Sequence, residues 1–183
     1  MFIQSRFKIS RKGQFLEQLD VDTIDLKLLD QLQRDASLSN LALAELVHVS
    51  PATCLRRIKR LTDAGLIERQ VAVLSADRLA PVLGHGLTAL VEITLDQQGA
   101  EHQAAFEQRV AVDDAVQQCY RVSPGPDFCL VVYAADMPGY LALAERLFTS
   151  DANVRNVKAF FSLKRSKFLP LLPVLAAAPG TAL

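Results

Sequence analysis

The sequence predicts an α+β protein in two parts, and two patterns lead to that prediction. Over residues 21–63, apolar side chains recur every three or four positions, which is the period of helices that bury one side. From residue 86 onward, short stretches typical of strands are separated by stretches with helical spacing. Because 50% of the residues are hydrophobic, the chain can supply a core for each part.

Two helices are predicted first, over residues 21–35 and 40–49. Asp22 is the expected N-cap of the first, and Ser39 or Asn40 caps the second. Their buried faces are expected to consist of Ile24, Leu28 and Leu32 in the first helix, and of Leu43, Leu46 and Val47 in the second.

The third predicted helix follows Ser50 and has well-marked ends. Ser50 can cap it, Pro51 fits the first helical position, and Gly65 can supply a left-handed stop. At 100° per residue, the packed side of this helix is predicted to contain Cys54, Leu55, Ile58, Leu61 and Thr62.

The opposite side of this helix is basic. The connection from Val47 to Ser50 is as short as the turn of a helix-turn-helix, whose second helix enters the major groove of DNA. Arginine can bind guanine bidentately, and hydroxyl groups at a helix N-terminus suit phosphates. A solvated charged face is the alternative. The candidate DNA-binding residues are Ser50, Thr53, Arg56, Arg57, Lys59 and Arg60.

Residues 66–73 alternate apolar and polar side chains, which predicts a short wing strand after the third helix. We therefore divide the chain into an unassigned extension (1–18), a helix-turn-helix domain (19–70), a linker with the wing strand (71–84), an α+β domain (85–168) and a Pro/Ala-rich tail (169–183). The tail is expected to be loosely packed and without a helix because of its three prolines.

The second domain has the predicted order βαββαβ, which gives a ferredoxin-like antiparallel sheet with two helices on one face. The other face then needs a partner, and a homodimer would cover it. The predicted strands are 86–95, 115–122, 127–135 and 154–165, and the predicted helices are 100–112 and 137–149.

Composition excludes several classes of protein. The 20 Lys and Arg balance the 20 Asp and Glu, so no acidic or basic chain-wide bias points to a partner. The three cysteines and three histidines are scattered without metal-ligand spacing, so we expect no metal site, no cofactor and no catalytic residues. No apolar run is long enough for a membrane span or a signal peptide, and the cytoplasm is the expected location.

The chain resembles the leucine-responsive and asparagine-responsive (Lrp/AsnC) family of transcription regulators. The matching segments are LDVDTIDLKLLDQLQRD, SPATCLRRIKRLTDAGLI, LVEITL, YRVS and AADM, within about residues 19–168. The resemblance implies binding of double-stranded DNA, dimers formed through the sheet domain and assembled into tetramers or octamers, and a small effector, such as an amino acid, bound between dimers.

The resemblance also implies an effector site at the turn after the second strand. The positions carried over as pocket-lining are Tyr120, Ser123, Gly125, Asp127 and Phe128. This chain departs from the family pattern because Pro124 replaces a glycine, and Pro124 and Pro126 each lack an amide donor.

Two alternatives to an effector-controlled regulator stay open at this point. Siroheme decarboxylases resemble the same family, although the second domain here offers only His85 and His102 as histidines for a tetrapyrrole. An architectural protein that binds DNA without an effector would agree with the two prolines of the turn.

Overall fold

A computed structural model describes residues 20–83 and 86–175 of the chain. These residues form two compact units: residues 20–73 together with 169–175, and residues 74–168. The predicted extension, residues 1–18, lies outside the described residues. Within the described ranges, no helix combines the length and the apolar character that crossing a membrane requires.

The first unit contains three helices, α1 (Thr23–Arg34), α2 (Asn40–Leu46) and α3 (Pro51–Asp63). Their caps follow the predictions. Asp22 caps α1 in a capping box with Asp25, and Ser39 caps α2 through a hydrogen bond from the Ala42 N–H. Gly65 ends the α3 segment with a positive φ of 75°, which glycine adopts without steric cost.

Leu28, Leu43, Val47, Cys54 and Leu61 are buried in or beside the core of this unit. Three predictions for its buried faces are wrong. Leu46 and Leu55 are 52% and 61% exposed, and Thr62 is also exposed. Helical spacing places a residue on an arc of the helix, but the neighbouring helices cover only part of that arc.

The predicted wing strand does not form in this chain. Residues 66–75 lie outside any strand or helix, because no described segment of the same unit pairs with them in a ladder of hydrogen bonds. The second half of the predicted linker is instead a helix, α4 (Ala76–Leu83), which the sequence analysis missed. The Ser75 hydroxyl oxygen accepts a hydrogen bond from the Arg78 N–H at 3.4 Å, so Ser75 was the available signal for the start of α4.

The second unit has the predicted βαββαβ order after α4. Its elements are β1 (Leu87–Leu95), α5 (Ala100–Ala111), β2 (Val116–Arg121), β3 (Phe128–Ala134), α6 (Met137–Ala144), which continues as a π-helical turn over Glu145–Thr149, and β4 (Val154–Phe161). The strands pair antiparallel in the order β2-β3-β1-β4, as in a ferredoxin-like sheet.

One face of the sheet carries both helices and the core. Phe106 of α5 stacks on Phe128 of β3 with ring centroids 4.6 Å apart, and Tyr140 of α6 is also buried there. Neither α5 nor α6 covers the other face. Leu90 pairs with Phe160 across β1 and β4, and these two side chains are 49% and 45% exposed.

Candidate nucleic-acid interface and effector-domain turn

The N-terminus of α3 is held by its first residues. The Ser50 hydroxyl accepts a hydrogen bond from the Thr53 N–H at 3.2 Å and donates one to Thr53 Oγ1 at 2.9 Å. Pro51 occupies the first turn, where no amide donor is needed. Asn40 of α2 donates to the Pro51 carbonyl at 2.9 Å and so ties α2 to the start of α3. The two helices are therefore joined by a side-chain hydrogen bond as well as by the turn between them.

A buried carboxylate on α1 organises the basic side of α3. Asp25 has no solvent exposure, and its Oδ1 accepts a hydrogen bond from Arg57 Nη1 at 2.9 Å. Its Oδ2 accepts one from Arg60 Nη2 and another from the Asp22 backbone N–H at 3.1 Å. Both oxygens of this carboxylate are thus used, and two arginines predicted to contact DNA share one internal counter-ion.

Asp22 adds a second carboxylate to the same cluster. Its Oδ2 lies 2.7 Å from Arg57 Nη1, while its Oδ1 accepts the cap bond from the Asp25 N–H. That backbone hydrogen bond, followed by the contact with Arg57, lowers the pKa of Asp22 below its ordinary value. In turn, the side-chain hydrogen bonds to Asp22 and Asp25 raise the pKa of Arg57. Asp22 and Arg57 are therefore both ionised at neutral pH.

The six predicted DNA-binding residues separate into two groups. Arg57 and Arg60 are 21% and 40% exposed and are paired with α1. Arg56 and Lys59 are exposed and form no ion pair within the described residues, and Ser50 and Thr53 are at the helix N-terminus. A pocket of about 280 Å³ lies over the cluster and is lined by Asp20, Asp22, Arg56, Arg57 and Arg60.

In the second unit, the structure gives Asp127 a role within the chain. This buried carboxylate accepts a hydrogen bond from the Leu95 N–H at 2.7 Å and one from the Gln98 side chain at 3.3 Å, both on Oδ2. The backbone N–H of Asp127 donates to the Ile93 carbonyl at 2.8 Å. Asp127 therefore fixes the end of β1 to the turn before β3.

The other predicted pocket residues lie in different environments. Phe128 is fully buried in the core, so its ring has no exposed surface for a ligand in this chain. Tyr120 is 56% exposed and its hydroxyl donates to Gln118 Oε1 at 3.1 Å. Ser123 and Gly125 belong to the turn itself, and Gly125 has a φ of 123° that favours glycine. Ser123 and Gly125 thus lie in the turn that ends at Asp127, whereas Phe128 is part of the core and the Tyr120 hydroxyl is bonded to Gln118.

Residues 21–68 match the winged helix-turn-helix DNA-binding family, and residues 88–172 match the Lrp/AsnC ligand binding domain. The DNA-binding transcriptional activator DecR of Escherichia coli K12 is 34% identical over 84% of this chain and 99% of its own length. This chain belongs to the Lrp/AsnC family. The resemblance noted from its segments is confirmed.

Other relatives agree with this Lrp/AsnC assignment. The leucine-responsive regulatory protein of Rhizobium meliloti is 31% identical over 82% of this chain and 94% of its own. A transcriptional regulator from Neisseria meningitidis, solved in a complex with L-methionine, superimposes with a TM-score of 0.73 at 29% identity and covers 85% of this chain and 97% of its own. The Lrp/AsnC protein described here is thus a DNA-binding transcription regulator with a ligand-binding domain.

The relatives are transcription regulators by name and not enzymes, which disfavours the siroheme-decarboxylase alternative. Within the described residues, no group of three or more His, Cys, Asp or Glu side chains is placed to hold a metal ion.

Proposed function

We propose that this Lrp/AsnC regulator contacts duplex DNA through α3, with the six residues in unequal roles. Arg56 and Lys59 contact the DNA directly, and Ser50 and Thr53 place the helix N-terminus near a phosphate. Arg57 and Arg60 contact DNA only with the part of each guanidinium that Asp25 and Asp22 leave open. The observation that carries this division is the fully buried carboxylate of Asp25 between the two arginines.

The charge of the cluster supports the same division. Arg57 and Arg60 face Asp22 and Asp25, so these four side chains together carry no net charge. Arg56 lines the same pocket and has no ion-pair partner among the described residues. A phosphate that approaches this surface is therefore attracted mainly by Arg56, with Lys59 beside it.

The DNA-binding proposal is tested by selecting bound sequences from a random DNA pool and titrating the selected site at several salt concentrations. The logarithm of the association constant should fall linearly with the logarithm of salt concentration. Arg56→Ala should reduce both the affinity and the slope, whereas Lys164→Ala in the second unit removes the same charge and should change neither. Equal effects of the two substitutions would contradict the assignment of Arg56.

We also propose that the second unit binds a small effector of the amino-acid class at the turn formed by residues 123–127. The match to the Lrp/AsnC ligand binding domain supports this site, and the Neisseria regulator is an example of a relative in complex with an amino acid. Both hydrogen bonds to Asp127 fall on Oδ2, so Oδ1 is the oxygen to which an ammonium group would bind. Because Pro124 and Pro126 have no N–H, Ser123 and Gly125 are the turn residues that can donate to a ligand carboxylate.

We propose that the chain forms a homodimer and that the open face of the sheet is its interface. Alternate residues of all four strands point to this face, and several of them are apolar. They include Leu90, Tyr120, Val131, Tyr133 and Phe160. A second copy of the chain would cover this face, and we propose that dimers assemble further into tetramers or octamers around the effector site.

A thermal-shift screen against the common amino acids and a few keto acids tests the effector proposal. A ligand that binds only the folded state stabilises it by about 2.7 kcal/mol at 100 times its dissociation constant. A shift with one chemical class would identify the effector, and Gly125→Ala should weaken it. If no amino acid or keto acid shifts the melting temperature, the proposal fails and a DNA-binding protein without such an effector is favoured, as the two prolines of the turn would allow.

A further inference from the structure

The C-terminal strap, defined here as residues 169–175, returns to the DNA-binding unit after the last strand of the ligand-binding unit. It belongs to the same compact unit as α1, α2 and α3, although it follows β4 in sequence. The ligand-binding unit, residues 74–168, is therefore connected to the DNA-binding unit at both of its ends. The three prolines of the tail predict loose packing, and they do not indicate this contact.

One side chain holds the strap through its backbone. The Oε1 of Gln33 on α1 accepts a hydrogen bond from the Leu172 N–H at 2.8 Å, and its Nε2 donates to the Leu172 carbonyl at 2.8 Å. A single amide thus satisfies both backbone groups of one residue, in the way that a neighbouring strand does in a ladder. The contact depends on the backbone of residue 172, and a proline there would remove half of it.

The Gln33 amide is itself held in place by a buried neighbour. Its Nε2 also lies 3.2 Å from Oδ1 of Asp30, a residue that is only 5% exposed. Asp30 pairs in turn with Arg34 at 2.9 Å and 3.0 Å. Asp30, which is held by Arg34, thus orients the Gln33 amide independently of the strap. Little side-chain freedom of Gln33 is therefore lost when its hydrogen bonds to Leu172 form.

The strap also forms one wall of an apolar groove in the same unit. The groove has a volume of about 1090 Å³ and lies between α1, residues 66–73 and the strap. Pro170, Leu172 and Val174 line it from the strap side, and Leu26 and Leu29 line it from α1. Leu172 itself is 71% exposed, so its backbone hydrogen bonds with Gln33 are the contact that joins the strap to α1.

From these contacts we infer that residues 169–175 are a second mechanical connection between the two units, closed by the hydrogen bonds between Gln33 and Leu172. The junction between Val73 and Leu74 is the first connection, and a unit attached at two points has less freedom to reorient than a unit attached at one. A change in the ligand-binding unit can then act on α1 directly, and α1 holds α3 through Asp25. The step from α1 to α3 is the only part of this inference that rests on the proposed DNA-binding roles of the α3 side chains.

The test compares the full-length protein with Gln33→Met, which keeps the size of the side chain but removes both hydrogen bonds to Leu172 together with the one to Asp30. Gln31→Met is the matched control, since Gln31 lies on the same helix and has no side-chain hydrogen bond within the described residues. Hydrogen exchange of the Leu172 amide, followed by mass spectrometry, should accelerate about tenfold in Gln33→Met and stay unchanged in the control. Equal exchange in all three proteins would overturn the inference.

Calorimetry on the same proteins tests whether the strap couples the two units, and it requires neither DNA nor effector. The gap between the unfolding temperatures of the two units should widen in Gln33→Met and in a chain that stops after Phe168, compared with the wild type and Gln31→Met. Leu172→Pro gives an independent variant that leaves α1 unchanged and should behave like Gln33→Met. Faster exchange without a wider gap would show a docked tail that does not couple the units, and the inference would then be wrong even if DNA binding is confirmed.

Discussion

The carboxylate of Asp25, buried on α1, accepts a hydrogen bond from Nη1 of Arg57 on α3 at 2.9 Å. This contact joins the helix that stabilises the DNA-binding unit to the helix that we propose reads DNA. It also explains why the arginines of α3 differ in exposure and in ion pairing, although a helical wheel places them on one side of the helix.

Asp25→Ala should destabilise the DNA-binding unit by roughly 2 to 3 kcal/mol. The change removes the shared counter-ion of Arg57 and Arg60 and one arm of the capping box. This loss of stability is no larger than the smallest losses seen when one partner of a buried ion pair is removed, because both guanidiniums keep some solvent access. Urea unfolding of the full-length protein measures it, and Asp63→Ala, at the exposed end of α3, is the control.

Arg57→Ala should lower stability as well as DNA affinity, whereas Arg56→Ala should lower affinity alone. Arg57 contacts Asp22 and Asp25, while Arg56 is exposed and has no ion pair within the described ranges. Melting temperature and DNA titration on the same samples separate the two effects. If Arg56→Ala lowered the melting temperature by as much as Arg57→Ala, the division between them would be wrong.

Acid should weaken the DNA-binding unit in a defined pH range. The backbone hydrogen bond from Asp25 lowers the pKa of Asp22, and the hydrogen bond from Arg34 lowers the pKa of Asp30, each from an ordinary value of 3.8. A carboxylate with a lowered folded-state pKa stabilises the fold above its unfolded pKa, and this contribution is lost as the pH falls through the folded pKa.

Stability measured by urea unfolding should therefore fall as the pH drops below about 3.8. In Asp30→Asn the fall should be smaller, because one of the two carboxylates can no longer take up a proton. An identical fall in wild type and variant would show that the ion pair of Asp30 with Arg34 contributes nothing to the acid response.

Leu90→Glu should convert the proposed dimer into a monomer. The substitution places a charge at the centre of the open sheet face, opposite Phe160 on the neighbouring strand. Leu141→Glu is the matched control, since Leu141 is 60% exposed on α6 in the helical layer. Light scattering after size-exclusion chromatography gives the mass of each variant, and a dimer that survives Leu90→Glu would exclude this face as the interface.

Local signals in the sequence were enough to predict most of the fold. Ser50 and Pro51 marked the start of α3 because capping depends on residues within one turn. The βαββαβ order followed from the spacing of apolar residues, since each period belongs to one kind of element.

Contacts between distant residues could not be predicted in this way. The pairing of Arg57 with Asp25 spans 32 positions, and that of Gln33 with Leu172 spans 139. Local spacing carries no information on either pair. For residues 66–73, the sequence predicted a strand that the structure does not have. Their alternation of apolar and polar residues is typical of a strand, but a strand also needs a pairing partner.

The internal neutralisation of Arg57 and Arg60 has a consequence for how tightly one copy can hold DNA. If α3 contacts DNA as proposed, fewer phosphates would be neutralised per copy than four basic side chains on one helix suggest, and fewer condensed cations would be released on binding. A single copy would then dissociate readily, and lasting occupancy of a promoter would require several copies on the same stretch of duplex. Avidity, more than the strength of any one contact, would set the threshold at which the regulator acts.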